Sequence, residues 1–267
     1  MKILLALLLT VLSSAAAAPG IVINKPVPKG QHLHAWRVID DLRWSVAQFD
    51  NVFWDPRDTP SLRGQIRTNN IARGKKVFEI GVGTGLLSLC SLSQGATQVV
   101  GTDINPAAHA CAKYNAERFG WKDKFDCRLV SKTNAGAFAV IGKNERFDLI
   151  VSNPPWVDRK PGNDFEFALY DPGFKLLETL LKGLPDHLNP GGRCFLAYGS
   201  VSSIITLRKL SKELGYTVRV VEDKRKVEDL PEEFLPGMTL EVIVPPEKIR
   251  AAGSARPVAV PAVRPAP

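Results

Sequence analysis

The sequence predicts an α/β fold: a Rossmann-like, mostly parallel sheet of seven strands with helices on both faces and a small N-terminal cap. An apolar run, Phe147–Ser152, has the length and composition of a strand buried on both faces, and it ends at Asn153. A glycine-rich turn, Gly81–Gly85, follows a second apolar run, Lys76–Ile80. An acidic residue, Asp103, ends the next apolar run about twenty residues beyond that turn.

Length and composition limit the domain count and the class of partner. The chain has 267 residues, of which 45% are hydrophobic, which allows one substantial α/β domain with small additions but no second full domain. The net charge of +8 would suit a polyanionic partner. Because the Lys and Arg residues are spread along the chain rather than clustered, we interpret the charge as a basic surface. Composition sets no oligomeric state.

Residues 1–18 have the three-part order of a signal peptide. Lys2 precedes the apolar run Ile3–Leu12, and serines and alanines follow it. The run is too short to span a bilayer comfortably. We expect cleavage after Ala17 or Ala18 and a location in the secretory pathway or outside the cytoplasm, with membrane anchoring if the segment stays uncleaved. A cytoplasmic location is the alternative, because unpaired thiols fit badly with an oxidising compartment.

The cysteines are expected to be buried free thiols. They form no Cys-x-x-Cys pair, and the four histidines lie at no metal-ligand spacing relative to them, so we expect no metal site. The predicted elements place two on separate helices and two on separate strands, which argues against a disulfide framework. The four are Cys90, Cys111, Cys127 and Cys194.

Residues 19–70 are predicted to be a linker followed by a cap. The linker is punctuated by Pro and Gly, and the aromatic residues that follow among charges are typical of a segment packed on a larger domain. These aromatic residues are Trp36, Trp44, Phe49, Phe53 and Trp54.

The main domain, residues 71–245, begins with the strand Lys76–Ile80 and the glycine turn. Glycines at alternate positions exceed what a tight turn needs, and missing side chains let a backbone approach a ligand. Thr84–Leu92 is predicted to be the first helix, with its exposed N–H groups facing that ligand. The strand Gln98–Asp103 comes next, and Asn105-Pro106 gives an N-cap and a proline at the first helical position.

The remaining elements follow from apolar periodicity. The helix after Asn105 runs to about Phe119, and Gly191-Gly192 turns into the fifth strand of the sheet. The composition from residue 246 to residue 267, rich in Ala and Pro, predicts a disordered tail. The further strands are Phe125–Val130, Phe147–Ser152, Arg193–Tyr198, Thr217–Glu222 and Thr239–Val244, and the further helices are Phe174–Leu188 and Ser202–Leu214.

The tetrapeptide Asn153-Pro154-Pro155-Trp156, downstream of the glycine turn, carries a resemblance. Asn-Pro-Pro-aromatic after a Phe-Asp-Leu-Ile-Val strand resembles the class I S-adenosylmethionine-dependent methyltransferases that methylate planar nitrogens: the exocyclic amines of nucleobases and the side-chain amide of glutamine. The likeness covers about Asp55 to Val244. Within it, Asp55–Pro60 is similar to the Pro-Arg-x-x-Thr segment that glutamine-amide methyltransferases place before their first strand.

The resemblance implies S-adenosylmethionine as cofactor, with the ribose diol held by Asp103. Many relatives have an acid after the third strand that receives the adenine amino group. This chain has Ser131-Lys132-Thr133-Asn134 there, so Asn134 is the candidate substitute. The implied cofactor site comprises Glu79, Gly81, Gly83, Thr84, Gly85, Asp103, Ile104, Asn134 and Asn153.

The implied catalytic residues are Asn153, Pro154, Pro155 and Trp156. An amide or aromatic amine nitrogen is a poor nucleophile because its lone pair is delocalised. If the Asn153 side-chain oxygen and the Pro154 carbonyl accept its two N–H bonds, the lone pair is localised and aimed at the sulfonium methyl group. Trp156 would cover the flat face of the acceptor.

The sequence leaves the acceptor open between a protein amide, RNA, DNA and a small molecule. It also leaves two other functions open. A nicotinamide-dependent oxidoreductase shares the glycine turn and the downstream acid, but its fingerprint places the third glycine one residue later and does not explain Asn-Pro-Pro-Trp. A cofactor-binding but inactive scaffold is the other.

Overall fold

The computed structural model describes residues 22–39, 44–221, 226–227 and 237–250. The predicted signal segment, residues 1–18, lies outside these ranges, as do residues 251–267 of the predicted tail. Within the described part of the chain, no helix is both long enough and apolar enough to cross a membrane.

The described residues form a seven-stranded sheet beside a two-stranded hairpin. Strand order in the large sheet is β5-β4-β3-β6-β7-β9-β8, with β9 antiparallel to both of its neighbours and the other pairs parallel. The predicted mostly parallel, Rossmann-like sheet is therefore confirmed. The strands are β1 (Leu33–Ile39), β2 (Trp44–Phe49), β3 (Lys76–Ile80), β4 (Gln98–Asp103), β5 (Phe125–Leu129), β6 (Phe147–Ser152), β7 (Leu188–Tyr198), β8 (Thr217–Val220) and β9 (Met238–Ile243).

Helices cover both faces of this sheet. Alternate residues of each strand point to opposite sides, so neighbouring residues pack against different helices. Val77 of β3 packs with α1, α2 and α3 on one face, whereas Phe78 packs with α4 and α5 on the other. Both faces are buried, which explains the continuous apolar runs. The helices are α1 (Pro60–Thr68), α2 (Leu86–Ser93), α3 (Pro106–Arg118), α4 (Lys175–His187) and α5 (Val201–Glu213).

Sheet order places a ligand site at β3. From β3 the chain passes to β4 and β5 on one side, and it then crosses back to β6 on the other side of β3, so the strand order reverses at β3. Open α/β sheets bind ligands outside the carboxyl ends of the strands at such a point.

The hairpin β1–β2 is the cap expected at the N terminus. Phe49 of β2 packs on Tyr114 of α3, with ring centroids 5.3 Å apart. The backbone N–H of Ala47 donates to the side-chain oxygen of Asn115 at 2.8 Å. These contacts fix the segment that follows β2, residues 50–59, beside the carboxyl edge of the sheet.

Most element boundaries lie within two residues of the sequence-based ones, and three of the differences have a local structural cause. Helix α2 begins at Leu86 rather than Thr84 because Gly85 is left-handed, with φ of 86°. Helix α4 begins after Phe174, which also has a positive φ. Strand β7 extends back to Leu188, where it pairs with Phe147.

The beginning of the predicted tail contacts the domain. Pro246–Lys248 form a 3-10 turn, and the Arg250 guanidinium pairs with the Asp186 carboxylate at 2.6 Å. The backbone N–H of Arg250 also donates to the Pro185 carbonyl at 3.0 Å.

Candidate active site

A cavity of about 250 Å³ lies at the carboxyl edge of β3, β4 and β6. Its volume is close to the lower end of the range for small-molecule clefts, about 300–1,000 Å³. Most residues singled out from the sequence line it. They are Glu79, Gly81, Gly83, Thr84, Asp103, Ile104, Asn153, Pro154 and Pro155.

The glycine turn is held open toward the cavity by backbone hydrogen bonds. The N–H groups of Gly81 and Val82 donate to the Thr102 carbonyl, at 2.8 and 3.0 Å. A Cβ added at Gly81 would meet nothing within 4 Å, so the space above the turn is free for a ligand. The turn therefore forms a cradle of backbone and open space.

Asp103 joins the end of β4 to that turn. One carboxylate oxygen accepts from the Gly83 N–H at 2.9 Å, and the other accepts from the Asn105 N–H at 2.8 Å. Burial raises the pKa of Asp103 to about 6, although the hydrogen bonds from Asn105, Gly83 and Ile104 act in the opposite direction. Each carboxylate oxygen has a further lone pair that can accept from a ligand hydroxyl.

Glu79 is the second carboxyl group of the cavity and lies at the end of β3. It is buried, and it accepts hydrogen bonds from the Ser88 hydroxyl and from the Ser88 N–H, the latter at 2.8 Å. Burial raises the pKa of Glu79 to about 8, and the negative charge of Asp103 adds to this rise. Burial disfavours the ionised form of both carboxyl groups, and a positive charge nearby would favour it. The pair is therefore suited to a cationic ligand.

Asn153 follows β6 directly, where the Ser152 hydroxyl donates to the Ile80 carbonyl at 2.7 Å and ties the two strand ends together. Its amide nitrogen donates to an Asp58 carboxylate oxygen at 3.4 Å. Its amide oxygen is buried and has no hydrogen-bond partner among the described residues. Such an atom costs about 1–3 kcal/mol unless a partner arrives, so it is a candidate contact for a ligand N–H.

Trp156 does not line the cavity. Its indole N–H donates to the Ala197 carbonyl of β7 at 3.1 Å, and its ring packs against the apolar core beneath α4 and α5. The Ser203 hydroxyl donates a hydrogen bond to the Trp156 carbonyl. The Trp156 indole is thus directed toward β7 and lies outside the cavity lining, which does not support its expected position over the acceptor.

Asn134 and Gly85 also lie away from the cavity lining. Asn134 is exposed in the 3-10 turn Lys132–Asn134 after β5, and Val130, Ala135 and Gly136 line the cavity there instead. A Cβ on Gly85 would lie 3.3 Å from the Cα of Ala112, so this glycine lets α2 and α3 approach each other.

Two groups of lining residues were not selected from the sequence. The first comes from the segment after the hairpin, and its signal was the Pro-Arg-x-x-Thr likeness at Asp55–Pro60. The second comes from the loop between β6 and α4, which no motif marks. The groups are Phe53, Trp54, Asp55 and Thr59, and Asp164, Phe167, Ala168, Tyr170 and Asp171.

The loop between β6 and α4 closes over one side of the cavity. It is held by a bridge between Val157 and Tyr170 and by the Asp171 carboxylate, which accepts from the N–H groups of Leu176 and Leu177 at 2.9 and 3.1 Å. Phe165 of the loop meets Phe53 with ring centroids 6.3 Å apart. This loop therefore contacts the segment that follows the hairpin. Over the described residues, no group of three or more His, Cys, Asp or Glu could hold a metal ion.

Comparison with known proteins identifies the family. A family model described as ribosomal protein L11 methyltransferase (PrmA) matches residues 62–154. A putative protein N5-glutamine methyltransferase of Methanocaldococcus jannaschii is 35% identical over 55% of this chain and 74% of its own length. This chain belongs to its family of S-adenosylmethionine-dependent methyltransferases.

Further relatives of this methyltransferase are longer. A release factor glutamine methyltransferase of Cereibacter sphaeroides is 32% identical over 55% of this chain and 54% of its own length. The chain therefore spans about half the length of that relative. Among solved structures, a putative methyltransferase complexed with SAH has a TM-score of 0.55 and 15% identity over 83% of this chain and 58% of its own, which shows the shared fold. These comparisons support neither an oxidoreductase nor an inactive scaffold.

The cavity residues fit S-adenosylmethionine, the cofactor of this methyltransferase. The open space above Gly81 accommodates an approaching ligand. Glu79 and Asp103, whose ionisation burial disfavours, are suited to a ligand with an ammonium group, a sulfonium and a ribose diol. Asn153 stands at the adjoining strand end with its amide oxygen unpaired.

Proposed function

We propose that this methyltransferase transfers a methyl group to the side-chain amide nitrogen of glutamine in a protein. The observation that carries the proposal is the Asn153 amide oxygen, which is buried and without a partner among the described residues. The names of the relatives, protein N5-glutamine and release factor glutamine methyltransferase, support the same acceptor.

The proposed chemistry needs a way to activate an amide nitrogen. The lone pair of this nitrogen is delocalised into the carbonyl, so the nitrogen is flat and weakly nucleophilic. When the Asn153 oxygen accepts one N–H of the acceptor and the Pro154 carbonyl accepts the other, the two bonds favour a pyramidal nitrogen with a directed lone pair. Pro154 and Pro155 are buried, so the chain that carries these acceptors is rigid.

The remaining roles fall to residues on β3 and β4. Asp103 would hold the ribose hydroxyls and Glu79 the ammonium group of the cofactor, as charge-assisted contacts. S-adenosylmethionine, when bound, supplies a methyl group on a positively charged sulfur. The acceptor nitrogen, held by the Asn153 oxygen and the Pro154 carbonyl, would receive that methyl group and then give one proton to solvent, and the sulfur would remain as a neutral thioether.

The experiment is transfer of labelled methyl groups from S-adenosylmethionine to fractionated cell extract and to purified release factor. We expect label in protein, recovered as methylated glutamine after digestion. Label in RNA or DNA would instead assign a nucleobase amine, and label in neither would contradict the proposal.

The matched variant is Asn153→Ala. Loss of a preorganised polar contact in the transition state should lower turnover by about a hundredfold. The Kd for S-adenosylmethionine should stay nearly unchanged, because Asp103 and Glu79, rather than the Asn153 amide oxygen, would make the charge-assisted contacts to the cofactor. Melting curves of both proteins control for folding. A normally stable Asn153→Ala protein with full turnover would remove Asn153 from the catalytic site.

A further inference from the structure

Asp58 makes a contact with Asn153 that no sequence motif predicted. It ends the 3-10 turn Pro56–Asp58 after the hairpin. Its Oδ2 lies 3.4 Å from the Nδ2 of Asn153, across 95 positions of sequence. Asp58 itself does not line the cavity, so any effect on the acceptor must act through Asn153.

The contact determines the orientation of the Asn153 amide. The two ends of an amide have nearly the same shape, so packing alone does not choose between them. An ionised carboxylate only accepts hydrogen bonds. Asp58 therefore attracts Nδ2 and repels Oδ1, which leaves Oδ1 on the other side of the amide, where it has no partner within the described parts of the chain.

Neighbouring contacts keep the Asp58 carboxylate available. The adjacent cation, Arg57, is turned to Asp55 and donates to its two carboxylate oxygens at 2.9 and 2.6 Å. Arg63 fixes the turn from α1 by donating to the Pro56 carbonyl at 2.7 Å. Arg57 is thus paired with Asp55, and among the described residues the side-chain hydrogen bond of the Asp58 carboxylate is the one from Asn153.

The backbone of Asp58 is also held from the side of β9. A Cβ built on Gly237 would lie 1.7 Å from the Asp58 carbonyl oxygen. This close approach of two backbones fixes the position of the turn relative to the sheet. The distance from Asp58 to the end of β6 is thus set by the fold rather than by a flexible side chain alone.

We propose that Asp58 is a positioning residue for the methyl transfer: its carboxylate holds Nδ2 of Asn153 and so presents Oδ1 to the N–H of the acceptor. This inference rests on the proposed function of Asn153. It assigns to Asp58 no contact with substrate or cofactor.

Protonation of Asp58 should cancel this orientation. Burial raises the pKa of Asp58 to about 6, and the charge of Asp55 adds to the rise, whereas Asn153 and Arg57 act in the opposite direction. Asn153 from β6 and Gly237 before β9, which also face Asp58, carry no charge. A protonated carboxyl can donate to Oδ1, so the amide can reverse and present Nδ2 to the acceptor. Turnover should therefore fall as the pH is lowered through the pKa of Asp58.

The test compares the wild type with Asp58→Ala and Asp58→Asn over a range of about pH 5 to about pH 8, with S-adenosylmethionine saturating at every pH so that the titration of Asp103 does not enter kcat. Asp58→Ala should lower kcat about tenfold, since one orienting hydrogen bond is lost, with KM and the Kd for S-adenosylmethionine little changed. Asp58→Asn can hold Asn153 in either orientation, so it should retain intermediate turnover and lose the acid step. The control is Asp123→Ala, which removes the same charge from an exposed 3-10 turn.

A spectroscopic readout separates this inference from the proposed function. The side-chain NH₂ signals of Asn153, assigned by their loss in Asn153→Ser, should exchange slowly in the wild type and faster in Asp58→Ala. Unchanged exchange, together with wild-type kcat and pH profile in Asp58→Ala, would overturn the positioning role while glutamine methylation stands. If the wild type methylates no glutamine, the proposed function fails, and the exchange rates still decide whether Asp58 orients Asn153.

Discussion

Burial raises the pKa of four carboxyl groups at or beside the candidate site: Asp58, Asp103, Glu79 and Asp171. The pKa is about 6 for Asp58, about 6 for Asp103 and about 8 for Glu79. A carboxyl group whose pKa is raised on folding contributes stability below its unfolded pKa of about 4, and that contribution is lost as the pH rises through the folded value. The unliganded protein should therefore lose stability from about pH 4 to about pH 8, and a cationic ligand should offset the loss.

The ionisation of Asp103 should have a measurable effect on the affinity for S-adenosylmethionine. We expect the affinity for S-adenosylmethionine to increase as the pH rises through about 6, the pKa of Asp103, because an ionised carboxylate is the stronger acceptor for the ribose hydroxyls. Asp103→Ala should weaken binding by about tenfold or more at neutral pH. Titration calorimetry at several pH values measures both effects. Undetectable binding by the wild type, with clear binding of a nicotinamide dinucleotide, would contradict the cofactor assignment.

The sequence predicted the position of some site residues but not of others. Asp103 and Asn153 could be placed because each ends a strand of a parallel sheet, and the carboxyl ends of such strands meet at one edge. Trp156 could not, because the direction of its ring depends on a hydrogen bond to β7, whose pairing the local sequence does not specify. Asp58 could not, because its contact with Asn153 spans 95 positions and depends on the hairpin as well as the sheet.

At the scale of elements, buried strands and amphipathic helices were predictable, whereas their ends depended on backbone conformation. Periodicity located the sheet because both of its faces are buried. The start of α2 shifted by two residues because Gly85 is left-handed, with φ of 86°. The loop between β6 and α4 was predictable as a loop but not as a cavity wall, because its bridge from Val157 to Tyr170 is not encoded by a local motif.

Gly85 allows the element-scale argument to be tested with a matched control. Gly85→Ala should lower the free energy of unfolding by about 1–2 kcal/mol, because alanine is strained in the left-handed conformation. A further loss should follow from the added methyl group, which would lie 3.3 Å from the backbone of Ala112. Gly120→Ala carries the same type of strain, with φ of 73° and no atom within 4 Å of the added methyl group. Melting temperatures and cofactor affinities of both variants check this. If the two lose equal stability, the α2–α3 contact has no energetic role at Gly85.

At the scale of the whole molecule, the predicted location outside the cytoplasm has to be compatible with the free cysteines of the chain. All four cysteines are free and buried, as expected from their predicted places on separate helices and strands. Burial raises the pKa of Cys111 to about 12 and holds the pKa of Cys127 and Cys194 above the usual value. The thiolate is the reactive form, so these thiols are protected from oxidation by the fold. Free cysteines therefore do not argue against an oxidising compartment for this chain.

We propose that residues 1–18 direct export and are removed after Ala17 or Ala18, on the order of Lys2, apolar run and small residues. Cleavage there would leave the described contacts of the domain intact. Along the described chain, the first backbone hydrogen bond to the domain is from the Ile23 N–H to the Arg118 carbonyl at 2.8 Å, and Lys25 then pairs with Glu117.

The mature N terminus in cells should accordingly be Ala18 or Pro19, and mass spectrometry of the purified protein identifies it. Deleting residues 2–18 is the control, because the shortened chain should keep its fold and cofactor affinity yet remain in the cytoplasm. An intact Met1 peptide in the soluble cytoplasmic fraction would show that no export occurs. Intact Met1 confined to membranes would instead show that the segment is not cleaved and is retained as a membrane anchor.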